Sequence, residues 1–115
     1  MAIISISISA TEDGHLILTD SEGHTGEDNI TTYASDSDSI IWILAENSGI
    51  SALTGIDAKE GSENLFSDGP NKVSDSEWRG VIAPTATGTE SYYIKYILND
   101  GEQRRDDPKV VIKPK

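Results

Sequence analysis

The chain has 115 residues, of which 26 are Ile, Leu, Val or Phe, enough for one domain with a single core and above the roughly 20% share below which disorder is the better expectation. It contains no cysteine, which excludes disulfides, thiolate catalysis, zinc fingers, iron–sulfur clusters and thiolate-ligated copper. The net charge of −11 is concentrated in residues 1–58, which hold ten acids and no Lys or Arg; that field repels phosphate backbones and anionic lipid and favours a basic protein or a cation.

The first stretch alternates strictly, with Ile4, Ile6 and Ile8 on one face and Ser5, Ser7 and Ser9 on the other, which predicts a half-buried strand. It has no basic n-region and is broken by serine, so it does not read as a signal peptide, and no apolar run reaches the length of a membrane span. Taken at face value the location is cytoplasmic, or periplasmic or secreted if a leader has been cut away. "TEDG" predicts a turn, "HLIL" a second strand, and Ile30 to Tyr33 a third strand after a polar loop.

"SIIWIL" is apolar on both faces and predicts a strand in the middle of a sandwich, with Trp42 as the central core residue. In "GISALTGIDAKEG", Ile50, Leu53 and Ile56 recur every third residue, but Gly49 and Gly55 weaken a helix; strand is the expectation and a short helical piece the alternative. "SENLFSDGPNKVSDSEW" reads mostly as loop, anchored by Leu65 and Phe66, with "SDGP" as a turn. Trp78, Gly80 and Ile82 alternate in another strand, and Tyr92, Ile94, Tyr96 and Leu98 share one face of the next. A charged loop, "NDGEQRRDD", then leads to a closing strand, Val110 to Ile112.

About eight short strands separated by turns predict one all-β domain over residues 1–115, an antiparallel Greek-key β-sandwich. Three stretches, "DSIIWIL", "GTESYYIKYIL" and "DPKVVIKP", make the chain resemble the cupredoxin-like sandwiches, with an immunoglobulin-like sandwich as the other type. "NSGI", "GSENLF" and "DPKVVI" also make it similar to small stand-alone bacterial proteins of that class without assigned function. Copper-binding members take a histidine from the middle of the chain and Cys, His and Met from the loop before the last strand. None of these stands at the matching positions, so the resemblance implies the fold without the copper chemistry.

Candidate sites are few. His15 and His24, with Asp20, Glu22 or Glu27, could form a two-histidine metal site, and acidic turns including Asp36 and Asp38 could give oxygen ligands to calcium, although no EF-hand spacing occurs. Arg104 and Arg105 could clamp a carboxylate, with Asp106 and Asp107 beside them as neutralising partners. Trp78, flanked by Glu77 and Arg79, is the aromatic residue most open to exposure. No nucleophile elbow and no Gly-rich phosphate loop occur.

The reading is therefore a non-enzymatic, metal-free binding or accessory module directed at a protein partner or at itself, without cofactor, nucleic acid or membrane insertion. Its binding residues are Trp78, Arg104, Arg105, Asp106 and Asp107. The alternative is a divalent-cation or small-ligand binder using His15, His24, Asp36 and Asp38.

Overall fold

The computed structural model describes residues 3–21, 23–26, 30–59, 65–84, 88–106 and 109–112; of Ala58, Asp106 and residues 109–112 the backbone alone is described. The described residues form strands and turns, with no helix and hence none long and apolar enough to cross a membrane. In chain order the strands are β1 (Ile3–Ala10), β2 (Leu16–Asp20), β3 (Thr25–Gly26), β4 (Thr31–Ala34), β5 (Ser39–Leu44), β6 (Ile50–Ala58), β7 (Phe66–Ser74), β8 (Glu77–Ile82), β9 (Gly88–Leu98), β10 (Gln103–Asp106) and β11 (Lys109–Ile112).

One sheet has the order β3-β2-β1-β5-β8-β7; the other has β10-β9-β11-β4, with β6 also on β9. β6 and β10 both pair with Ile94 to Ile97, so they occupy opposite edges of β9. The inner face of the first sheet presents Ile4, Ile6, Ile8, Leu16, Leu18, Ile40, Trp42 and Ile82, and that of the second presents Leu53, Ile56, Tyr92, Ile94, Tyr96 and Leu98. All of them are buried in one cluster. Each Ile or Leu so buried stabilises the fold by about 1.5–3 kcal/mol. Trp42 lies at the centre, fully buried, its indole N–H donating across the two sheets to the Tyr92 hydroxyl at 3.1 Å. The two rings meet edge to face with centroids 5.6 Å apart.

Four expectations need correction. The sheets are not wholly antiparallel: β1 pairs in parallel with β5, and β4 with β11. The reason is the path of the chain, which folds β2 against one edge of β1, crosses to the other sheet for β4, and returns to lay β5 along the remaining edge of β1. β5 is not buried on both faces, because Ile43 on its outer face is exposed.

The segment expected to be loop around "SDGP" is an edge strand, β7, whose pairing with β8 is interrupted by register shifts; an edge with bulges tolerates Pro70 and Gly69, which a central strand would not. Its anchors, Leu65 and Phe66, are buried as expected. The charged stretch before the closing strand is also a strand in part, β10, paired along β9.

β6 is a strand, and its three-residue apolar spacing has a structural cause. Register shifts between Ile50 and Ala52 and between Leu53 and Gly55 insert an extra residue each time. Ile50, Leu53 and Ile56 therefore all face the core, although strict alternation would have sent Leu53 outward.

Candidate functional site: the acidic end of the sandwich

Three turns meet at one end of the molecule. The β1–β2 turn carries Glu12, Asp13 and Gly14, the β5–β6 turn carries Glu46 to Gly49, and the β9–β10 turn carries Asn99 to Glu102. Each reverses the chain through a glycine with positive φ, namely Gly14 at 84°, Gly49 at 81° and Gly101 at 91°. Backbone hydrogen bonds tie them together: Ala10 N–H donates to Ser48 C=O at 2.7 Å and Asn99 N–H to Gly49 C=O at 3.1 Å. Tyr96, buried on β9, donates its hydroxyl to Gly14 C=O at 2.8 Å.

Between the turns lies a cleft of about 260 Å3, lined by Ala10 to Gly14, Gly49, Leu98 to Asp100, Glu102 and Arg104. Its lining has four carboxylates, Glu12, Asp13, Asp100 and Glu102, against one guanidinium, so its charge is 1 − 4 = −3. Glu46 adds an exposed fifth carboxylate on the neighbouring turn.

Among the described residues, Arg104 is the single basic group of this cleft. On β10 it stands opposite Tyr96 and so points inward, with its guanidinium against Gly14; a Cβ built on that glycine would lie 3.0 Å from Arg104 Cζ and 2.9 Å from Leu98 Cδ1. Its Nη2 donates to Glu102, 3.2 Å from Oε1 and 3.3 Å from Oε2. This hydrogen bond, with the nearby acids, holds the guanidinium above its ordinary pKa and keeps it charged. Its Nε–H is buried and has no acceptor among the described residues, leaving an unmet donor in the cleft wall.

The expected site residues do not come together. Arg104 and Arg105 are neighbours on a strand and point to opposite faces, so they cannot form one clamp. Arg105 lies outside, its guanidinium 4.3 Å from the centre of the Tyr93 ring. The Asp106 side chain and all of Asp107 lie outside the described residues. Trp78 is half-buried rather than presented to solvent; it packs against the core, and its indole N–H donates to Leu53 C=O at 3.3 Å.

The four residues of the cation alternative do not come together. His24 Nδ1 lies 3.0 Å from the buried Asp20 carboxylate, which also accepts from Thr32 Oγ1 at 3.0 Å. Asp38, buried, accepts from Ser35 N–H at 2.8 Å and shapes its own turn, on which Asp36 is exposed. His15 is exposed at the close of the β1–β2 turn. Among the described residues, no group of three or more His, Cys, Asp or Glu is placed to hold a metal ion.

The cleft itself escaped sequence reasoning, which recognised its turns singly. The available signal was a shared pattern: "TEDG", "AENSG" and "NDG" each set an acid or amide within the two residues before a glycine.

No family model and no curated protein matches this chain. Among solved structures it is similar to the cysteine protease inhibitor EhICP2 from Entamoeba histolytica, with 21% identity, 98% of this chain and 97% of that one covered, and a TM-score of 0.46. It is also similar to amebosin, with 14% identity, coverage of 98% and 99%, and a TM-score of 0.39. A third similarity is to SGBP-B of the Bacteroides ovatus mixed-linkage glucan utilization locus, solved with a mixed-linkage heptasaccharide. There the identity is 12%, coverage is 88% of this chain and 29% of that one, and the TM-score is 0.33. With TM-scores this low, none of these likenesses carries an argument about the present chain.

Proposed function

We propose that this chain is a non-enzymatic binding module whose acidic end takes a basic segment of a partner protein. The observation that carries this reading is the convergence of three hydrogen-bonded turns on one cleft with four carboxylates and a single, ion-paired base. Such a cleft attracts lysine and arginine side chains at long range and rejects anions. Ala10 and Leu98 supply an apolar portion against which the methylene stem of a lysine can rest. The unmet Nε–H of Arg104 offers a donor for a carbonyl of the bound segment. The divalent-cation reading has no comparable support, since no ligand group is assembled among the described residues.

For the type of sandwich we propose the Greek-key class, cupredoxin-like or immunoglobulin-like; its support is two stacked sheets with a buried tryptophan strand, β5, facing β9.

The test is calorimetric titration of the protein with a lysine-rich peptide at low and at moderate salt. Binding that weakens with salt is expected, and Asp13→Asn and Asp100→Asn should each weaken it by up to about fivefold. Affinity untouched by both substitutions would remove the reading.

A further inference from the structure

Among the described residues, the outer face of the second sheet carries Lys95 and Arg105, with Lys59 beside the same Tyr93 ring that Arg105 covers. On β9 and β10 the residues Lys95 and Arg105 are direct cross-strand partners. Two like charges set opposite each other on a sheet disfavour the pairing, and a chain with twenty acids has ample means of avoiding it. They lean apart: Lys95 runs its stem over Gly55, where a Cβ would lie 3.2 Å from Lys95 Cδ, and reaches Asp57 at 3.2 Å. Arg105 turns to stack on Tyr93, and Lys59 Nζ lies 5.7 Å from the centre of the same ring. A groove of about 330 Å3 is left between them, lined by Thr54, Lys95, Gln103, Arg104 and Arg105.

We infer that this groove binds a carboxylate presented by an extended acidic segment of a partner protein. A carboxylate in the groove accepts charge-assisted hydrogen bonds from Arg105, whose planar guanidinium is suited to hold it with two N–H groups, and from Lys95, which exchanges its exposed ion pair with Asp57 for the new one. Thr54 and Gln103, both exposed, add neutral donors at the groove wall. The Tyr93 ring beside it gives a flat apolar platform for the rest of the segment. Highly charged polyanions are the poorer match, because the net charge of −11 repels them before contact while a short segment meets only the local field. This inference does not rest on the acidic cleft: its ligand is of opposite sign, and the two linings share only Arg104.

The experiment is an amide chemical-shift titration of the whole protein with a glutamate-containing peptide and, separately, with inorganic phosphate and single-stranded DNA. The peptide should perturb residues 54, 93, 95, 103 and 105. Arg105→Gln should weaken its affinity about tenfold, and Lys95→Met, which keeps the stem, should weaken it too. Both side chains are exposed, and retained dispersion of the core amides confirms that each variant is folded. Peptide shifts elsewhere, affinity unmoved by either substitution, or phosphate or DNA binding at this face more tightly than the peptide would each overturn the proposal.

Discussion

The hydroxyl of Tyr96 donates to the backbone carbonyl of Gly14 at 2.8 Å, joining residues 82 positions apart and fastening the β1–β2 turn to the sheet that carries the rest of the acidic cleft. Tyr96 is buried on β9, so water does not compete for this bond in the folded protein, and Gly14 is held in a conformation with φ of 84° that side chains rarely adopt.

Tyr96→Phe should therefore cost about 1–3 kcal/mol, since the Gly14 carbonyl loses its buried donor while the ring still fills the core. Urea denaturation measures this. Faster amide exchange at residues 11 to 15 should accompany it, because the loss is local to that turn. Unchanged stability and exchange would show that the bond does not hold the turn.

Trp42 and Tyr92 provide a second test, at the centre of the core. The indole N–H donates to the Tyr92 oxygen, and burial pushes the Tyr92 hydroxyl above its ordinary pKa, so this oxygen stays protonated through the accessible pH range. Tyr92→Phe leaves the indole N–H buried and unpaired, with an expected loss of about 1–3 kcal/mol. Trp42→Ala should cost about 3–5 kcal/mol through the cavity it opens. A thermal or urea midpoint indifferent to Tyr92→Phe would mean that the indole finds another acceptor.

Glu90 gives stability a pH dependence whose sign is fixed. Burial raises its pKa above the ordinary 4.5, and the hydrogen bond that its Oε1 accepts from Leu65 N–H at 2.7 Å opposes this more weakly. Folding thus favours the neutral acid: the stability it contributes is present in full below the unfolded value and lost as pH rises through the raised one. Glu90→Gln keeps an acceptor for Leu65 and cannot ionise. The variant should gain on wild type as pH rises from about 4 to 7, read from denaturation curves at several pH values. Parallel pH profiles for the two proteins would refute the assignment.

The parts of the fold legible in the sequence were those governed by local alternation. Ile4, Ile6 and Ile8 on β1, and Tyr92, Ile94, Tyr96 and Leu98 on β9, lie on regular stretches with one face inward, and period two reports them directly. β6 obscured its period because two bulges each add a residue between core positions. β7 and β10 look like loops in sequence because Gly, Pro and Asp favour turns and charged residues favour solvent; on a sheet edge the same residues meet solvent and are tolerated. The parallel pairing of β1 with β5 depends on where the chain goes between them, which no local pattern encodes.

The cleft was illegible for a related reason. Glu12, Asp100 and Arg104 are brought together by cross-sheet packing and by turns that bond to one another, while each turn alone looks like an ordinary solvated reversal. The two arginines were legible as a pair in sequence, but the strand that carries them separates their side chains to two faces, giving each a different surface to serve.

Amide chemical-shift changes mapped over the whole protein during titration with a lysine-rich peptide decide whether the acidic end is the binding face. Shifts should concentrate in residues 10–14, 46–49 and 98–104 and diminish as salt is raised. Shifts confined to other surfaces, or none at any salt concentration, would contradict that reading.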